Sequence, residues 1–201
     1  MSAPASASLR RLALCAVLVL AATALAACTR KPDASTHPIR TVADFDGNPC
    51  ALMTEDELRA ALRPPYQALL GVEPVVVANP VEANQGGNHA CVYRFQPGKQ
   101  SNLPKITDLT VTLGRPSNGS QPYAICVAGA TNKAPGYKIE KVGDQACLDP
   151  SSNLWMKIAE NYYQVVLTPQ PGFTDPVEAN LALGPMILGV ARAAADRLPR
   201  T

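Results

Sequence analysis

Four cysteines, Cys50, Cys91, Cys126 and Cys147, follow an N-terminal export signal, and together they constrain the fold more than any other feature. Arg10 and Arg11 form a short positive region ahead of Leu12 to Leu25, a run of 14 residues in which Thr23 alone is polar. Spanning a bilayer takes about 20 apolar residues, so the run reads as the core of a signal peptide. An exported chain meets an oxidising compartment, where an even cysteine count reads as a disulfide framework. Three pairings are open. Sequential pairing, Cys50 with Cys91 and Cys126 with Cys147, is favoured because it keeps each bridge within one half of the domain. Chain entropy gives each bridge about 3–4 kcal/mol. None of the spacings is CxxC, which disfavours a thioredoxin-like motif and a zinc knuckle. No metal and no cofactor is expected.

The signal ends in Leu25-Ala26-Ala27-Cys28. The stretch resembles the bacterial lipobox, an aliphatic residue, two small residues and then Cys, and it matches at all four positions. The resemblance implies a thioether-linked diacylglycerol on Cys28, cleavage before it and, usually, acylation of the new amino terminus. Two or three acyl chains anchor stably where one binds only marginally. The expected organisation is a signal peptide over 1–27, a lipid-anchored tether over 28–47 and a single α+β domain over 48–201. Thr29 to Gly47 is polar and lacks apolar periodicity. As a flexible chain it reaches about 25 Å.

Removing residues 1–27 leaves 174 residues, enough for one domain with a sizeable core. Arg10 and Arg11 leave with the signal, so 16 basic and 16 acidic side chains remain. With zero formal charge and no Lys/Arg cluster, nucleic-acid binding has no electrostatic footprint.

Thr54 and Glu57 form a capping box, with Met53 and Leu58 placed as a hydrophobic staple. Leu58, Ala61 and Leu62 continue a helical stripe that Pro64-Pro65 is expected to end, with a further turn over Tyr66 to Leu70. Strands are expected at Val75 to Val77, Cys91 to Phe95, Thr107 to Leu113 and Tyr137 to Val142. Leu154 to Ala159 and Tyr162 to Leu167 read as a hairpin. Tyr123 to Ala128 fits a strand or a short helix. Asp175, Pro176 and Glu178 start a closing helix that Gly184-Pro185 should break or kink. A helix at each end of an antiparallel meander is an α+β, two-layer pattern.

Asn48-Pro49-Cys50-Ala51-Leu52-Met53-Thr54, then Cys91-Val92-Tyr93, then Val142-Gly143-Asp144-Gln145-Ala146 follow one another in a familiar order. The chain resembles a large family of actinobacterial lipoproteins built on a domain of unknown function. The resemblance covers roughly residues 47–199. It implies an extracytoplasmic compartment and a helix pinned through Cys50 to the strand carrying Cys91. It implies nothing about chemistry.

Catalytic patterns are sparse. His37 falls in the tether and His89 in a Gly/Asn-rich loop, so a hydrolase would have to rely on His89. GxSxG, HExxH, P-loop and GxGxxG patterns do not occur. Glu55, Asp56 and Glu57 suit the first turn of a helix, and Asp144 suits a turn. If Leu154, Met156 and Ile158 face the core, Trp155 and Tyr162 share the opposite sheet face and offer a possible recognition surface. The expected function is a non-enzymatic, lipid-anchored binding or accessory lipoprotein on the extracytoplasmic face of the cell membrane. Its partner would be an envelope protein or a small ligand. The alternative is a carrier or sensor for an apolar small molecule or lipid, with its cavity between sheet and helices.

Overall fold

The computed structural model describes residues 39–97, 106–170 and 172–201. Signal peptide, Cys28 and the tether as far as Pro38 lie outside the described residues.

The first element corrects the expected tether. Helix α1 spans Val42–Gly47. Thr41 Oγ1 accepts the Asp44 N–H at 3.1 Å, and Asp44 Oδ2 accepts the Thr41 N–H at 2.9 Å. Phe45 is fully buried, its ring edge-on to Tyr163 at 5.6 Å. A six-residue helix cannot show periodicity, so a single aromatic and a capping box carry it. The folded unit therefore includes Ile39 to Gly47, and the tether cannot extend to residue 47.

A 3-10 turn, Pro49–Ala51, leads to α2, Glu55–Leu70. The capping box forms as expected, with Thr54 N–H donating to Glu57 Oε2 at 2.9 Å and Glu57 N–H to Thr54 Oγ1 at 3.3 Å. The helix does not end at Pro64-Pro65. These prolines withdraw the donors owed to the Ala60 and Ala61 carbonyls. The buried stripe Leu58, Leu62, Tyr66 and Leu70 stays in register across them, and tertiary packing outweighs the local loss. Gly189 shows how close that packing is: a Cβ there would lie 2.6 Å from the Ala61 carbonyl oxygen.

Seven antiparallel strands follow: β1 Pro74–Gln85, β2 Asn88–Pro97, β3 Asp108–Arg115, β4 Lys138–Glu140, β5 Gln145–Leu148, β6 Asn153–Ile158 and β7 Asn161–Gln170. Their order is β1-β2-β3-β7-β6-β5-β4. Strand β1 is far longer than its three valines suggested. It carries two register shifts and Pro80, and it ends at a Gly86-Gly87 turn where both residues have positive φ. That geometry matches the right-handed twist of a hairpin. Bulges and proline blunt the edge strand against pairing with another chain.

Alternation sorts the sheet into two faces. Cys91, Tyr93 and Phe95 of β2, Leu109, Val111 and Leu113 of β3, and Tyr163, Val165 and Leu167 of β7 join the main core beneath the helices. On the opposite face lies α3, Ser120–Thr131, which covers β4 to β6, reaches Tyr162 of β7, and closes a second small core of Tyr123, Cys126, Cys147 and Trp155. The Tyr123–Ala128 stretch is thus helical. Its apolar residues point to both sides, Cys126 inward and Ile125 to solvent, which is why its pattern was ambiguous.

Helix α4, Pro176–Ala195, closes the fold. Asp175 Oδ1 accepts the Val177 N–H at 2.8 Å. Gly184-Pro185 does not break it. Pro185 strands only the Leu181 carbonyl, and Leu181 is exposed, so water can serve that oxygen. Met186, Ile187, Val190, Ala191, Ala194 and Leu198 are buried as one face. Helices α2 and α4 run antiparallel. Arg197, just past α4, forks onto Glu57 at the start of α2 at 2.7 and 2.8 Å. No helix among the described residues is long and apolar enough to cross a membrane.

Candidate functional site

The four predicted cysteines pair sequentially. Cys50 joins Cys91 (Cα–Cα 4.8 Å), and Cys126 joins Cys147 (Cα–Cα 5.9 Å). The first bridge fastens the 3-10 turn to β2. The second fastens α3 to β5.

Trp155 and Tyr162 correct a second expectation. They do share the outer face, but α3 occupies it. Trp155 is 9 % exposed and packed with Tyr123 and the Cys126–Cys147 bridge. Its indole Nε1–H donates to Asp149 Oδ2 at 3.0 Å. Tyr162 is half-buried with its ring tilted against Tyr123 at 5.3 Å. The pair belongs to a small core and cannot form an open recognition surface. Asp149 organises that end: its Oδ1 also accepts the N–H groups of Ser151 and Asn153, at 2.8 and 3.0 Å. The Asp149-Pro150-Ser151-Ser152 sequence is a turn signal that sequence reasoning passed over.

His89 sits on β2, not in a loop, opposite Arg115 of β3. Its Nε2 lies 4.0 Å from Asp46 Oδ2, and among the described residues its Nδ1 has no hydrogen-bond partner. Asp46 is already engaged by Arg115, whose Nε donates to Oδ1 at 2.7 Å while Nη2 reaches Oδ2. That carboxylate holds the guanidinium above its ordinary pKa. The arrangement clasps α1 to the sheet and leaves His89 at its edge.

Asp144 also does more than turn its own backbone. Its Oδ2 accepts the Ala159 N–H at 2.6 Å, fixing the positive-φ residue of the β6–β7 turn, and its Oδ1 accepts from Arg200 at 3.0 Å. These bonds lower its carboxyl pKa.

The clearest concave feature lies where α2 ends and α4 begins. Leu69, Leu70, Ile106, Phe173, Leu181 and Ala182 line an apolar groove of about 300 Å³, and Glu178 adds a carboxylate. That volume is at the small end of ligand sites. A second depression of about 270 Å³ lies on the uncovered part of the outer sheet face, walled by Ala83, Ala90, Thr112, Gly114 and Gln164. Sequence reasoning named neither, because each is built from segments far apart in the chain. Among the described residues, no cluster of three or more His, Cys, Asp or Glu side chains has metal-binding geometry.

Tyr66 lies one helical turn before Leu70 on the same buried stripe of α2 and is fully buried. Two other fully buried tyrosines donate to carbonyls, Tyr93 to Met53 at 2.8 Å and Tyr163 to Pro199 at 2.9 Å. Among the described residues the Tyr66 hydroxyl has no partner.

No family model, curated protein or solved structure matches the chain.

Proposed function

We propose that this chain is a lipid-anchored, extracytoplasmic binding protein of the bacterial cell envelope, held by lipid on Cys28 and without catalytic activity. The observation that carries the reading is the pairing of every cysteine downstream of Cys28 in disulfides. Such pairing suits the compartment that the Leu25-Ala26-Ala27-Cys28 signal implies. The resemblance to actinobacterial lipoproteins is part of the same proposal. The setting of His89 supports a non-enzymatic role, because the carboxylate that would orient it is bound by Arg115. Detergent phase partition of the wild type and Cys28→Ser tests the anchor. The wild type is expected in the detergent phase and the variant in the aqueous phase; equal partition removes the reading.

The groove favours a second reading, a carrier or sensor of an apolar small molecule. Val42 N–H bonds the Thr201 carbonyl at 2.9 Å, tying the start of α1 to the C-terminal residue, whereas the groove lies at the start of α4. Native mass spectrometry of protein extracted from its own membranes separates the readings. A reproducible small molecule favours the carrier, whereas an envelope protein cross-linked in place favours the accessory role.

A further inference from the structure

We infer that the outer face of the sheet is an interface between two copies of this chain, related by a two-fold axis that runs over β7 parallel to the strands. The inference is independent of the anchor at Cys28.

Strand β7 is the middle one of seven, with β3, β2 and β1 on one side and β6, β5 and β4 on the other. On the outer face α3 stands over β4 to β6. Among the described residues no helix stands over β1 to β3, and the depression of about 270 Å³ opens there. The face is thus a ridge three strands wide beside a trough three strands wide. A half-turn about an axis over β7 exchanges the two sides, so α3 of each copy enters the trough of the other. Three strands span about 14 Å, which admits a helix about 10 Å across.

Chemistry matches that geometry. Alternation with buried Cys91 and Leu113 turns Ala90 and Val92 of β2 and Thr112 and Gly114 of β3 outward, beside Val81 and Ala83 of β1. All six are small or β-branched and uncharged; Arg94, one step beyond Val92, is the nearest outward charge on β2. Val81 is 62 % exposed. Gly114 keeps the floor low, since a Cβ there would lie 2.7 Å from the Ala90 Cβ. Helix α3 carries no charged residue in its 12 positions, and Ala124, Ile125 and Ala128 face solvent, Ile125 at 57 % exposure. Solvated faces normally carry charge, whereas its depletion marks the centre of an interface. A face of one sign would repel its own copy across a two-fold axis; an uncharged face does not.

Register ties ridge to trough. Ladder partners run in one row from Cys147 through Trp155, Gln164, Gly114 and Ala90 to Ala83. Cys126 of α3 is bridged to Cys147, at one end of that row. Rotation about an axis along the strands keeps the row at its own level. The part of α3 around Cys126 therefore meets Ala83, Ala90 and Gly114 of the other copy, and Ile125 fills the depression. A trough about 20 Å long offers about 300 Å², and α3 about 200 Å² more. Two copies would bury about 1,000 Å², the lower limit for a specific interface, so the dimer is weak and half-dissociated at about 1–100 μM.

Sedimentation velocity of the full chain in mild detergent, from about 1 to about 300 μM, tests this. The sedimentation coefficient is expected to rise from monomer to dimer over that range. Ile125→Glu and Ala83→Lys alter exposed positions; each should leave the thermal melt in place and weaken the dimer at least about tenfold. Combined in one chain, they set opposite charges against each other across the interface and should recover at least about threefold over either single variant. Within one copy α3 and β1 lie on opposite sides of β7, so such recovery can come only from contact between copies. A chain that is monomeric throughout overturns the inference and leaves the face to a different partner or to solvent. A dimer that neither single variant weakens, or that the combination does not recover, overturns it as well, because the copies then meet elsewhere or share only a micelle.

Discussion

Replacing both Cys126 and Cys147 by alanine isolates what the second disulfide does. The bridge closes a loop of 21 residues. In the chain-entropy model, opening it costs about 3 kcal/mol. Both sulfurs are buried in a four-residue cluster separate from the main core, so their loss also leaves space beside Trp155. For a domain of this size each kcal/mol moves the melting temperature by about 2–4 °C, and the variant should melt about 6–12 °C lower. The effect should be uneven. Trp155, the only tryptophan, reports the outer-face cluster. Backbone circular dichroism reports the whole sheet. In urea, the fluorescence midpoint of the variant is expected to fall further than the circular-dichroism midpoint, because α3 loses its covalent link while the main core is intact. A variant within about 1 kcal/mol of the wild type by both probes would refute the argument, because packing alone would then hold α3.

Other consequences follow from single contacts. Glu57 has its pKa lowered to about 2, first by Arg197 and then by the Thr54 backbone N–H. A depressed carboxylate stabilises above its ordinary value near 4.5 and loses that contribution as pH falls toward 2. Both partners are 40 % or more exposed, so Glu57→Gln should lose only about 1 kcal/mol at pH 7 and nothing further near pH 2, as read by denaturant midpoints at the two pH values. Asp46→Asn should cost about 2 kcal/mol, because it weakens a charge-assisted fork onto partly buried Arg115; equal urea midpoints would contradict it. Gly189→Val adds bulk where even a Cβ would meet the Ala61 carbonyl at 2.6 Å. A loss of about 1–3 kcal/mol in thermal melts is expected, with α2 displaced from α4.

Much of this fold is written in short-range signals. Thr54 and Glu57 announce α2, Asp175 announces α4, and the alternation of Leu109, Val111 and Leu113 announces β3 together with its buried face. The cysteine pairs follow from compartment and spacing. What escaped sequence reasoning depends on contacts between distant segments. Pro64-Pro65 reads as a stop, yet the stripe through Tyr66 and Leu70 packs on. Trp155 alternates outward as expected, but nothing local reveals that α3 will cover it. Phe45 gives α1 one apolar anchor, too little for a pattern. The groove gathers side chains near residues 70, 106, 173 and 181, and no motif spans such distances. Tyr66 escapes for the same reason: that its hydroxyl has no partner among the described residues shows only once distant segments are packed around it.

The most direct test of the central claim is the mass of the N-terminal peptide of the protein isolated from bacterial membranes. The account predicts a chain that begins at Cys28 and carries diacylglycerol on its sulfur. A chain that begins elsewhere, or an unmodified Cys28, would contradict it.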